Sequence, residues 1–252
     1  MSNLIPTNIQ VPAHLASKIG QPSALGQSLT GGITGGPSFP RISLKGSRFR
    51  IREDGAETVL DATTLDTIIV GANPELSKTY YMAEWDKDAE PTAPDCFSLN
   101  GKTPHPEAES PQSDLCSTCP HNAWGSKIGP QGQKLKMCGD QKRLAVVAAD
   151  DPDGPVYLLQ VTPAALKGLN AYNKELAMRG IPVDIVKTKL SFDTDASFPK
   201  LKFSFGGFLD DETYNVVEGL FGSEQILEIT GESQPDAAAE PSKPRKAAVK
   251  AA

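Results

Sequence analysis

Alternation of apolar and polar residues at period two constrains this chain more than any other feature. In "RISLKGSRFRIRE", residues 41–53, Ile42 and Leu44 share parity with Arg48, Arg50 and Arg52, whereas Phe49 and Ile51 take the other parity. Such alternation belongs to a strand with one face in a core. The phase reverses at Gly46, where a bulge would return the apolar set to one face. "LDTIIVGANP" and "KTYYMAEWD" read as two more strands parted by a Gly/Asn/Pro turn. "KRLAVVAA" turns at "DDPDGP" and resumes as "VYLLQV", a hairpin, and "PVDIVKTKLSF" with "PKLKFSFGGFL" brackets "DTDAS" as another. In that second hairpin Leu190 and Phe192 are expected to face Leu201, Phe203 and Phe205 in the core.

Two helices interrupt the strands. "TPAALKGLNAYNKELAMRGIP" has Thr162 as N-cap, Pro163 at the first helical position and Gly180 as its stop, with Leu166, Leu169, Tyr172 and Leu176 on one face. "DETYNVVEGLFG" is shorter, capped by Asp210 or Asp211 and closed by Gly222. The expected fold is mainly β with one or two helices: an OB-like antiparallel barrel with a zinc-bound loop insertion at about 95–140. Residues 1–38, rich in Gly, Ser and Thr, read as a flexible leader, 39–230 as the folded domain, and 231–252 as a disordered Ala/Pro/Lys tail. No apolar run nears the ~18 residues of a membrane span, and the first residues lack the pattern of a secretory signal. A cytoplasmic setting without a membrane follows, where cysteines mean metal or free thiols sooner than disulfides.

The cysteines number four: Cys96, Cys116, Cys119 and Cys138. A Cys-x-x-Cys pair reaches one ion from a tight turn, and two distant thiolates complete a tetrahedron. Residues 97–137 between them are rich in Pro, Gly, Ser, Lys and Gln and poor in aliphatics, so the segment has little core of its own. A structural zinc with four cysteine ligands is the expectation. His105 or His121 in place of one cysteine, an iron–sulfur cluster, and four unrelated thiols are the alternatives.

Charge is unevenly spread. The formal net charge is −6, yet residues 41–52 hold five bases and no acid, and residues 53–114 hold 14 acids against 3 bases. Arg48, Arg50 and Arg52 form a ladder at period two, as do Lys187 with Lys189 and Lys200 with Lys202 on the later hairpin. The plain alternative is a polar outer face. Three cationic strands in an acidic chain point instead to an anionic polymer. Tyr81, Trp85, and Trp124 beside Lys127 supply aromatics of the kind single-stranded bases stack on.

Signatures of catalysis are thin. No Walker A sequence, G-x-S-x-G or H-E-x-x-H occurs, and the chain has 3 histidines. "PD" at 94–95 with "DQK" at 140–142 is a loose nuclease-like pattern. The expectation is no enzyme.

The runs "FPRISLKGSRFRI", "PDCFSLNGKTP", "PQSDLCSTCPHNAWGS", "KRLAVV" and "SFPKLKF" resemble proteins of tailed-phage replication and recombination modules. In outline the chain is similar to phage single-stranded-DNA-binding proteins that insert a zinc site into an OB fold. The resemblance implies the four cysteines as ligands, single-stranded DNA as partner, and replication or recombination proteins as further partners. It departs in two ways: such zinc sites include a histidine, and such tails are acidic, whereas here the last bases follow the last acid. A protein that coats single-stranded DNA is thus the leading expectation. A protein-interaction adaptor built on the zinc loop and the acidic segment 53–114 is the rival, and a metal-dependent nuclease the weaker alternative.

Overall fold

The computed structural model describes residues 12–14, 39–53, 56–83, 93–129, 132–196 and 198–232. Trp85, most of the leader and the tail beyond Glu232 lie outside the described residues.

Strands β1 (Arg41–Lys45) and β2 (Arg48–Glu53) pair antiparallel through Ile42 with Ile51 and Leu44 with Phe49. Gly46 and Ser47 between them have φ of 65° and 53°. Two successive positive φ values make a type I′ turn, whose twist matches the strands it joins. The phase reversal is therefore a hairpin, not the expected bulge. Opposed residues share a face, so Ile42, Leu44, Phe49 and Ile51 lie on one side and Arg41, Arg48, Arg50 and Arg52 on the other.

Further strands are β3 (Ala56–Val59), β4 (Thr64–Ala72), β5 (Ser77–Tyr80), β6 (Cys96–Ser98), β7 (Lys127–Ile128), β8 (Lys134–Leu135), β9 (Gly139–Ala148), β10 (Tyr157–Val161), β11 (Val186–Phe192) and β12 (Leu201–Phe208). The main sheet runs β12-β11-β4-β9-β10-β1-β2-β3, with β5 between β6 and the start of β9. β1 pairs parallel to β10, which makes the sheet mixed where an antiparallel one was expected. Among the described residues β12 and β3 do not meet, so no barrel closes. The sheet nonetheless curls far enough that Phe49 on β2 and Phe192 on β11, with four strands between them in the order, pack with ring centroids 4.6 Å apart.

Two apolar cores flank the sheet. On the inside of the curl, Ile42, Phe49, Leu144, Val146, Leu159, Leu190 and Leu201 pack with Ala165 of helix α1 (Pro163–Met178). On the other face Ile68, Val70, Ala145, Val147 and Leu158 lie under Val217 of α2 (Asp211–Glu218) and Ile226 and Ile229 of α3 (Glu224–Thr230). β9 is thus buried on both sides, which explains why "LAVV" does not alternate.

α3 was not foreseen. Ser223 caps its start, and Gly231 ends it with φ 86°. Its seat depends on Gly71, where a Cβ would collide with Ile226 Cγ2. Buried Arg143 donates from Nε and Nη2 to the carbonyls of Thr230 and Ile229, at 3.0 and 2.6 Å. Asn73 Nδ2 donates to Thr230 and to Leu99, joining α3 to the cysteine-bearing segment.

One expected core residue is not in the core. Phe205 is exposed and meets Phe208 edge-to-face at 5.1 Å. The register shifts between Lys187 and Thr188, leaving Gly206 as the extra residue, and Gly207 has φ 123°. This bulge turns the strand end away from the interior.

Candidate metal centre and nucleic-acid interface

Pairing of β5 brings two distant cysteines together. Tyr80 opposes Cys96 on β6, and Thr79 opposes Gly139, the residue after Cys138. Tyr80, Cys96 and Cys138 form one small buried cluster. The Cys-x-x-Cys turn is delivered to it by hydrogen bonds rather than by packing. Cys116 N donates to Lys102 O at 2.8 Å, Cys138 N to His121 O at 2.9 Å, and Asn122 Nδ2 to Cys116 O at 2.7 Å. All four cysteines are free thiols and line one pocket with Lys78, Tyr80, Ser98 and Asn122.

This donor set suits a soft or borderline cation: four sulfurs from three chain segments, three of them buried, in a region with almost no other core. As they stand, no described group of three or more His, Cys, Asp or Glu side chains forms a ready cation cage. The histidines stand aside from the pocket. His121 stacks on Tyr80 at 4.4 Å, and His105 stacks on Phe97 at 4.6 Å while its Nδ1 accepts from Glu107 N. Burial pushes the Cys138 thiol up to about 11 and raises Cys116, while Lys78 pulls both down. Thiols held this way are not activated nucleophiles.

Beside the thiols lies a polar network that the sequence did not announce. Asp140 accepts from Lys78 at 2.5 Å and from Lys136 at 2.9 Å, and both ammonium groups also donate to Asn122 Oδ1 at 3.2 Å. Although burial opposes it, these two cations hold the Asp140 carboxyl below its usual range. Asp95, the other acid of the nuclease-like pattern, accepts from Met82 N at 2.7 Å. Lys136 and Asp140 lie close in sequence, so their pairing was readable as a local contact. Nothing in "SKTY" marks Lys78.

The same segment carries the most exposed aromatic residue of the described chain. Trp124 is 70% exposed. It precedes the β7–β8 hairpin, which is tied to the thiol turn by Ser126 Oγ donating to His121 O and by Gly125 N donating to Leu135 O, both at 2.9 Å. Lys127, Ile128 and Lys134 are exposed on that hairpin. No Asp or Glu occurs between Asp114 and Asp140. Tyr81, just after β5, is also exposed, and burial of its neighbourhood with nearby Asp95 raises its phenol.

Both basic ladders keep the orientation expected of them, but each is partly neutralised. Arg50 and Arg52 share Glu57 of β3, with Arg52 Nε at 2.6 Å, and Arg48 lies 3.8 Å from Asp61. Lys200 and Lys202 both reach Asp193, at 2.8 and 3.0 Å. Lys189 opposes Asp66 of β4 in register. Arginine and lysine ladders lie on the same face of the sheet, that of α2 and α3, but β4, β9, β10 and β1 separate β11 from β2. They are two patches rather than one. Glu57 was visible as an acid, and Asp193 as a turn residue; their roles follow only from pairing.

No family model, curated protein or solved structure matches this chain.

Proposed function

We propose that the protein is a non-enzymatic, zinc-stabilised protein that binds single-stranded DNA, of the kind its motifs resemble in phage replication and recombination modules. The observation that carries the reading is Trp124, held in water just before an acid-free hairpin on which Lys127 and Lys134 are exposed. An indole with adjacent ammonium groups is a stacking platform for a base whose phosphates the lysines can follow; such stacking contributes ~1–3 kcal/mol per base. Cys96, Cys116, Cys119 and Cys138 would hold the zinc. Its binding would draw the sulfurs together and leave no open position for catalysis. The OB-like kinship of the sheet belongs to the same proposal. Its support is the curl around one core, although the strands do not close.

Fluorescence titration of a single-stranded oligonucleotide at two salt concentrations tests the reading. Quenching of Trp124, affinity that falls with salt, and a loss of roughly tenfold or more in Trp124→Ala are the expected results. The adaptor reading draws on a different observation: Glu107, Glu109 and Asp114 are exposed, and no base occurs between Lys202 and Lys243. It predicts no salt-dependent DNA binding, and an indifferent Trp124→Ala would favour it.

A further inference from the structure

We propose that Lys78 is the charge-compensating residue of the cysteine site: fixed by Asp140 and Asn122 at the wall of the thiol pocket, its ammonium offsets the negative charge that four thiolates place around one dication. The proposal rests on the zinc reading above.

Four thiolates around Zn2+ leave roughly two negative charges uncompensated. Taking such a complex into a shielded site costs free energy unless a cation stands near it. Lys78 is placed for this. It sits mid-strand on β5, opposite Ser98 on one neighbour and Asp140 on the other, so its backbone is anchored on both edges. Its side chain is only 11% exposed, which limits screening by salt. Lys78 lines the same pocket as the four cysteines.

Asp140 does not cancel it. One carboxylate serves two ammonium groups, Lys78 and Lys136, so the network carries a surplus positive charge. Of the two, Lys78 faces the pocket and Lys136 does not line it. Asp140 is shared between the two, so it neutralises Lys78 only in part, and Lys78 is the one of the pair at the pocket wall. Asn122 adds precision: its Oδ1 accepts from both lysines, while its Nδ2 holds the Cys116 carbonyl. Ammonium and Cys-x-x-Cys turn are therefore positioned by one side chain.

The test is zinc affinity of the full chain, measured by competition with a chromophoric chelator. Lys78→Met should weaken zinc roughly 10–100-fold, and Lys78→Arg should stay near wild type. Asp140→Asn separates charge from architecture. Removing the carboxylate leaves the positive charge of Lys78 at the pocket wall without its counterion, so zinc should bind at least as tightly as in wild type. A network that served only to hold the turn in shape would lose affinity in both Lys78→Met and Asp140→Asn, and that result overturns the proposal. Equal affinity in Lys78→Met and wild type overturns it as well, while leaving the zinc reading intact. A wild-type protein that takes up no zinc overturns both. Should Lys78→Met fail to fold by circular dichroism, Asp140→Asn decides alone: equal or tighter binding supports the proposal, and weaker binding removes it.

Discussion

Along β9, Leu144, Ala145, Val146 and Val147 are buried in succession, with α1 on one side of the sheet and α2 and α3 on the other. Among the described residues from 99 to 137, only Ala108, Cys116 and Gly129 are buried. The first region gains about 1.5–3 kcal/mol for each large side chain it removes from water. The second has no such source. It is held by turns and by Asn122, Ser126 and the Lys78–Asp140–Lys136 network. Two stability regimes thus share one chain, joined where Leu99 meets Asn73 and Gly231.

Removing the proposed zinc is the strongest way to break that contrast. Zinc stripped by a chelator, or Cys119→Ser, should abolish amide-exchange protection across 96–138 while β9 through β12 keep theirs. Protection lost in both regions together would mean that the lobe and the sheet form one cooperative unit.

Gly71→Ala attacks the other side of the comparison. The added Cβ would run into Ile226 Cγ2, and Ile226 is buried against the sheet. Because the colliding methyl sits on a β-branched carbon close to the helix backbone, α3 itself must shift. A loss of about 1–3 kcal/mol in denaturant unfolding is expected, with zinc content unchanged. Loss of zinc along with α3 would show that the Leu99 and Asn73 contacts transmit strain into the lobe.

Where sequence was a good guide, the signal was local. Strands with one covered face alternate, so the two predicted hairpins stand in place; at "GS", where both φ are positive, a turn between two strands replaces the expected bulge within one. The Cys-x-x-Cys spacing marked a shared pocket for all four cysteines. What was not legible depends on distant partners. The parallel pairing of β1 with β10 joins residues 41 and 158, and no local pattern encodes it. α3 is seven residues long, too short for its period to show, and Gly71 matters only because α3 lies on it. Cationic ladders were readable as ladders, but their effective charge was not, since Glu57 and Asp193 reach them from neighbouring elements. Lys78 reads as an ordinary strand lysine until β5 is seen between β6 and β9.

The smallest expected effect sharpens the comparison most, because it asks which region meets DNA. Asp193 takes Lys200 and Lys202 together, and these two hydrogen bonds, Lys200 first, lower its carboxyl to about 2. A carboxyl depressed in the folded state contributes stability that is fully present above its unfolded value near ~3.9 and is lost as pH falls through its folded value. From neutral pH down to about 4 the carboxylate therefore stays charged, and the β11–β12 face presents less positive charge than its lysines suggest. Asp193→Asn releases both ammonium groups while keeping a side chain of the same size at this half-buried turn. If the face tracks phosphates, single-stranded DNA should bind a few-fold tighter at low salt. Log affinity against log salt should then steepen by about 0.7 for each additional phosphate that a lysine neutralises. Lys189→Glu with Lys202→Glu should move both quantities the other way. If Asp193→Asn changes neither while Trp124→Ala weakens binding, the DNA lies on the cysteine lobe, and the sheet is the frame that carries it. The reverse pattern places DNA on the sheet and leaves the lobe for a protein partner.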